Sequence, residues 1–191
     1  MAEAPSAVRW ILVATAAIWV MLELRQSIAH RPEGVKAGWG GEVLFRVIVG
    51  VGALVAGVLS GVAPSAMIRP APLAVWIGLV LFWGGIFLRV WSFRTLGRYF
   101  TFIVQTSGDQ PVIADGPYRL IRHPSYAGLL LVIMAVGLFI GNWWSLACLT
   151  VAVAGGLVFR IGVEERALIQ SLGDGYRSYA ATHKRLVPFV W

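Results

Sequence analysis

The chain has 191 residues, of which 58% are hydrophobic and only 13% charged, and its mean hydropathy is +0.76. Soluble domains carry about 25% charged residues, so this composition excludes an ordinary soluble domain and points to an integral membrane protein forming one helical unit. The formal net charge of +7 reads, among apolar spans, as basic loops facing anionic membrane lipid, and no nucleic acid is expected as a partner.

Residues 8–24 are apolar apart from Arg9 and Glu23 and, at 17 residues, form a first span at the short end of what crosses a bilayer. A cleaved signal peptide is the poorer reading, because the preceding flank is barely cationic and SIAHRPEG lacks a small-residue cleavage site. Residues 25–42 are a polar loop broken by Pro32 and a glycine cluster, and residues 43–63 are a second span. Its GVGALVAG run lacks the strand and helix context of a nucleotide loop, so Gly57 and Gly61 are expected as close-packing glycines. Residues 64–72 connect to a third span at 73–93, with Arg89 placed to snorkel from its end.

Residues 94–125 make a loop of roughly thirty residues, a length usually reserved for function or disorder. Its Phe100, Phe102, Ile103, Val104, Val112 and Ile113 favour a packed, functional loop. At its end lies GPYRLIRHPSYAG, residues 116–128, where Tyr118, Arg119, Arg122, His123, Ser125 and Tyr126 crowd between Pro117 and Pro124. Such a polar island beside hydrophobic spans is a site hypothesis by default. Residues 126–140 and 143–162 are two more spans, joined by a turn tight enough to require an antiparallel hairpin. The first arm either starts within RHPSY or inserts incompletely. Cys148 lies in the second arm, leaving no intrachain disulfide and no cysteine metal motif. From residue 163 a polar tail helix follows, broken at residues 173–175 and ending in an aromatic, proline-containing segment able to fold back on the membrane surface.

Five spans with the N-terminus outside place residues 25–42, 94–125 and 163–191 in the cytosol, where most of the Lys and Arg then fall. The expected localisation is a multi-pass membrane protein, in the plasma membrane if bacterial, with its site facing the cytosol.

Arg160 and Glu164 lie four residues apart, so on a continuing helix they share a face, whereas Glu165 points elsewhere. As a plain ion pair they would be worth only about 0.3–0.5 kcal/mol, in the less favourable order. Charges at a membrane edge are costly enough to need a reason. His30, His123 and His183 show no metal-ligand spacing, and no GxSxG elbow or P-loop is present. What remains is a cytosolic cluster of aromatic and charged groups suited to a polar cofactor meeting a lipid-like substrate.

GPYRLIRHPSYAG, an apolar hairpin, then R-x-x-x-E-E, a Gly-Asp-x-Tyr stretch and a terminal Leu-Val-Pro together resemble the isoprenylcysteine carboxyl methyltransferase family and its phospholipid methyltransferase relatives. The likeness covers residues 96–191. It implies S-adenosylmethionine as cofactor, held without a Rossmann fold in a cytosolic pocket formed by the long loop, the last hairpin and the tail. The family's cofactor contacts fall on Gln105, on Gln110, Pro111, Val112 and Ile113, on Tyr118, on His123, Pro124, Ser125 and Tyr126, and on Glu164. Arg160 falls on the substrate-orienting arginine, which with Glu164 makes the catalytic pair. Where this chain has Gln110 the family often has His, and the spacing from Gln105 is shorter than in the eukaryotic enzymes. Residues 1–95 carry no motif and are expected as a transmembrane scaffold for the catalytic half.

The implied acceptor is lipid-like or prenylated. A carboxylate is already a nucleophile, whereas an amine, as in phospholipid N-methylation, needs a base to free its lone pair. An NADPH-dependent sterol-type reductase shares a similar RH-x-x-Y and terminal Pro-aromatic segment, and a non-catalytic membrane protein is the third reading.

Overall fold

Long apolar runs bounded by glycine and proline become helices in the computed structural model of the chain, which describes residues 39–69, 71–97, 111–188 and 190–191, together with three helical positions, Ala14, Ile18 and Met21. The expected first span at 8–24, apart from those positions, and the sites expected at Gln105 and Gln110 lie outside the described residues. Four long helices follow in order: α1 (Trp39–Val62), α2 (Ala71–Leu96), α3 (Pro124–Ile140) and α4 (Trp143–Thr182). Among the described residues there is no strand, and three helices are long and apolar enough to cross a membrane: α1 from Val43, α2 and α4. The fourth, α3, is apolar but has 17 residues.

Local chemistry sets the ends. Pro72 sits in the first turn of α2, where its missing N–H costs no hydrogen bond. Pro124 opens α3 for the same reason, so the helix does start within RHPSY, and Gly141 ends it in the left-handed region at φ 76°. Asn142 then caps α4, its side-chain oxygen accepting from the Trp144 and Ser145 amides at 3.0 and 3.2 Å. Its amide donates to the Ala63 carbonyl at 2.9 Å, which ties the hairpin tip to the end of α1.

The principal pairings are α2 with α3, α3 with α4 and α4 with α1. One apolar core joins Ala56 to Ile133, Leu149, Val153 and Leu157; another joins Phe82 and Ile86 to Val132 and Ala135. Glycine lets α2 and α3 meet backbone to backbone: a Cβ on Gly85 would stand 2.5 Å from the Gly128 carbonyl, and one on Gly128 2.6 Å from that of Gly85. Among the described residues nothing lies within 4 Å of a Cβ on Gly57 or Gly61, so none of these residues is the packing partner expected for them. The opposite side of α1 packs on α4, and there Gly52 meets Ala152. Large apolar side chains such as Leu54, Trp76, Val80, Phe87 and Val151 point outward, as lipid-facing helices require.

α4 is two helices joined across a break at Gly173 (φ 58°, ψ −133°), where the tail was expected to break. The first, residues 143–172, is about 45 Å long at 1.5 Å per residue against the roughly 30 Å of a hydrocarbon core, so its end extends beyond the bilayer. The start of the terminal segment packs onto the protein. Residues 121 and 184 form an isolated parallel bridge, with the Arg122 amide donating to Lys184 O at 2.8 Å and the His123 amide to Arg185 O at 2.9 Å.

Candidate active site

The proline at position 124 disfavours helical backbone at His123, which caps α3 with φ −124° and ψ 58°. This geometry turns the His123 ring and the next helical turn toward α4. The Tyr126 hydroxyl there accepts a hydrogen bond from Arg160 Nε at 2.8 Å and donates one to Glu164 Oε2 at 2.7 Å. Arg160 and Glu164 thus share a face and also share one phenol. The Arg160 guanidinium is buried over two rings, 5.5 Å from the centroid of Tyr126 and 5.4 Å from that of Phe45 on α1. A Cβ on Gly156 would stand 2.9 Å from the Phe45 ring, so the missing side chain makes room for it.

The His123 and Tyr126 rings stack at 5.6 Å and 13° between planes. His123 Nδ1 lies 3.9 Å from Glu164 Oε2, whose side chain keeps 30% of its exposure. The other ring nitrogen, Nε2, is 3.2 Å from Glu165 Oε1. Glu165 therefore does turn away from Arg160, but into the site's framework. Its Oε1 also meets Arg122 at 2.9 Å, while Oε2 takes both Nε and a terminal nitrogen of Arg185 at 3.0 and 2.9 Å. Arg122 donates in addition to the Ala180 carbonyl at 2.7 Å, and Arg185 lies 5.2 Å over the Trp191 ring. One carboxylate binds the start of α3 to the C-terminal tail.

Tyr118 sits in a 3-10 turn, Gly116–Arg119, that begins at φ 55°. A Cβ at Gly116 would lie 2.7 Å from Thr95 Oγ1, so only glycine fits against α2. Burial, and next the charge of Glu164, raise the Tyr118 pKa and keep the phenol protonated, against a smaller opposing effect of its hydrogen bond with Ser92. Its carbonyl accepts from the Tyr179 hydroxyl at 2.7 Å. Ser125 is buried, and its carbonyl accepts from Arg89 at 2.9 Å. Arg89 does not snorkel: α2 runs about two turns beyond it, and its 6%-exposed side chain is drawn inward, over the Phe93 ring and onto the α3 N-terminus. Val112 lies against Gly175 of the tail, with Ile113 half-buried and Pro111 exposed beside it.

Of the residues expected from the sequence, Tyr118, His123, Pro124, Ser125, Tyr126, Arg160 and Glu164 come together at one end of the bundle. Phe45, Arg89, Ser92, Glu165 and Arg185 belong to the same constellation but were not expected there. The Glu164–Glu165 doublet and the basic Lys184–Arg185 pair are signals for two of them; Phe45, Arg89 and Ser92 sit in apolar runs that give none.

Helices long enough to span a bilayer, a hydrophobic exterior and a charged site at one end define a multi-pass integral membrane protein. The profile of the isoprenylcysteine carboxyl methyltransferase (ICMT) family matches residues 76–170, so over that region the chain resembles this family. The chain is 33% identical over 115 residues to protein-S-isoprenylcysteine O-methyltransferase A of Arabidopsis thaliana, covering 59% of this chain and 58% of the relative. The corresponding enzyme of Schizosaccharomyces pombe is 28% identical, over 56% of this chain and 46% of its own. The uncharacterized protein YpbQ of Bacillus subtilis is 25% identical, with 58% and 66% covered. The solved structure of the eukaryotic intramembrane Ras methyltransferase ICMT superposes with a TM-score of 0.60 at 25% identity, covering 76% of this chain and 52% of that one. The chain thus spans about half the length of these eukaryotic relatives, 46–58% of each.

Proposed function

We propose that the protein transfers a methyl group from S-adenosylmethionine to the carboxylate of a lipid-like, isoprenylcysteine-type acceptor at the cytosolic membrane face. The observation that carries this reading is the Tyr126 hydroxyl shared by Arg160 and Glu164, within the stretch that matches the family. It holds a guanidinium and a carboxylate side by side, one suited to an anionic acceptor and the other to a cationic donor.

The donor set fits such a cofactor. The Glu164 carboxylate and His123 beside it form an acceptor-rich wall, and the stacked His123 and Tyr126 rings add an aromatic face of the kind on which cations pack. When bound, S-adenosylmethionine supplies an electrophilic methyl group on its sulfonium. Glu164 then binds the cofactor's positive end, while Tyr118, the 111–113 segment and the 123–126 turn frame the rest. Gln105 and Gln110 are assigned to the cofactor on the resemblance alone. Arg160 grips the acceptor carboxylate through its planar fork, a task for which Lys is a poor substitute. An ionised carboxylate needs no base, so the residues act mainly by holding donor and acceptor in line. Good alignment supplies as much as roughly 7–11 kcal/mol of a barrier.

Within this reading the chain has five spans with its N-terminus outside and works as one domain, residues 1–95 supplying scaffold and 96–191 the reaction. The test is transfer of a radiolabelled methyl group to a prenylcysteine acceptor by the purified full chain in lipid nanodiscs. The expected product releases volatile methanol in alkali, as a methyl ester does. A base-stable product would show N- or S-methylation instead, and no product with prenylcysteines would reject the acceptor class.

A further inference from the structure

Glu165 stands between two guanidinium groups, Arg122 at 2.9 Å and Arg185 at 2.9 and 3.0 Å, and arginine does not give up its proton in proteins. So placed, Glu165 is an ionised carboxylate and only accepts hydrogen bonds. His123 Nε2, 3.2 Å from its Oε1, must then carry the hydrogen. In the neutral imidazole this leaves Nδ1 as a bare lone pair, and Nδ1 is the atom that faces Glu164 Oε2 at 3.9 Å.

We infer that Glu165 is a positioning residue: it fixes His123 as the Nε2–H tautomer, so that Nδ1 and the Glu164 carboxylate together present two acceptors to the positively charged, donor-bearing end of the methyl donor. The inference rests on the proposed function for the identity of that ligand, but not for the tautomer. A hydrogen on Nδ1 would point the ring's donor at Glu164 and cancel the charge the ligand is meant to meet. The ring is otherwise locked, stacked on Tyr126 and held by the His123 amide bonded to the Arg185 carbonyl at 2.9 Å. The groups facing it are Glu164 and Tyr126 on one side and Glu165, with Arg122 and Arg185 behind it, on the other.

Nitrogen-15 spectra of histidine-labelled full-length protein in detergent micelles at neutral pH read the tautomer directly, with a His123→Gln sample to assign the signal. The wild type is expected to show His123 protonated on Nε2 alone. An Nδ1–H form or an imidazolium overturns the inference. In Glu165→Gln, whose amide can donate as well as accept, the single tautomer is expected to be lost. S-adenosylmethionine affinity should fall at least tenfold while the helical circular dichroism persists. A folded variant that keeps wild-type affinity overturns it. Should Glu165→Gln not fold, Glu165→Asp keeps the charge between the two guanidiniums but withdraws the oxygen from His123, and the same losses are expected. A wild type showing the Nε2–H tautomer yet no affinity for S-adenosylmethionine would overturn the proposed function while supporting the tautomer assignment.

Discussion

The Tyr126 hydroxyl donates to Glu164 at 2.7 Å while accepting from Arg160 at 2.8 Å, so a single oxygen on α3 sets the spacing of two charged side chains on α4. Removing it without changing shape tests whether that spacing matters. Tyr126→Phe is expected to weaken cofactor binding and to slow methyl transfer together, each by roughly ten- to a hundredfold, since hydrogen bonds to charged groups are worth about 1.5–3 kcal/mol. Calorimetry and single-turnover kinetics on the same preparation check both. Loss of only one of them would mean that the two residues act independently of the phenol.

Arg160 and Glu164 are expected to serve different molecules despite that shared partner. Glu164→Gln should reduce cofactor affinity about tenfold or more, while Arg160→Lys should keep affinity within about threefold and mainly lower turnover, because an ammonium cannot orient a carboxylate through two parallel bonds. As a mere ion pair the two variants would instead show similar small stability losses, on the order of 0.5 kcal/mol. Paired dissociation constants and single-turnover rates decide between these patterns.

How much of this was legible in the sequence depended on whether a residue's role was local. Apolar runs gave the helices, and Pro124 with the 116–128 motif gave the site, because proline geometry and spacing act over a few residues. The break at Gly173 was legible for the same reason. Phe45 was not, because its value comes from a partner on another helix: it looks like any lipid-facing phenylalanine until α4 brings Arg160 beneath it. Arg89 was misread because a charge four residues from the end of the expected 73–93 span suggests snorkelling, whereas the Gly85–Gly128 contact brings the α3 N-terminus close enough to offer it a carbonyl. Glu165 pointed away from Glu164 as expected, and only the fold shows that away means toward His123 and the tail.

That glycine contact supplies a test of scaffold and site together. Gly85→Ala or Gly128→Ala places a methyl group about 2.5 Å from an opposing carbonyl, and the backbones must separate. Overpacking of this kind costs about 1–3 kcal/mol. Thermal unfolding in detergent should show the loss, and cofactor affinity should fall too, because Arg89 leans on Ser125 one turn away. Unchanged melting of both variants would contradict the close approach.

The ends of the bundle should face opposite compartments. In a Cys148→Ala background, a cysteine at exposed Ser178 should react with an impermeant thiol reagent from the cytosolic side only, and one at exposed Ser65 from the other side only. Both reacting from the same side would refute the membrane placement.

Calorimetric titration of the purified full chain with S-adenosylmethionine, its demethylated product and NADPH bears most directly on the central claim, that the Arg160–Tyr126–Glu164 cluster serves a methyl donor. The expected result is saturable one-site binding of both S-adenosyl compounds, weakened tenfold or more by Glu164→Gln, with no heat from NADPH. Saturable binding of NADPH with none of S-adenosylmethionine would contradict the account and point to a reductase.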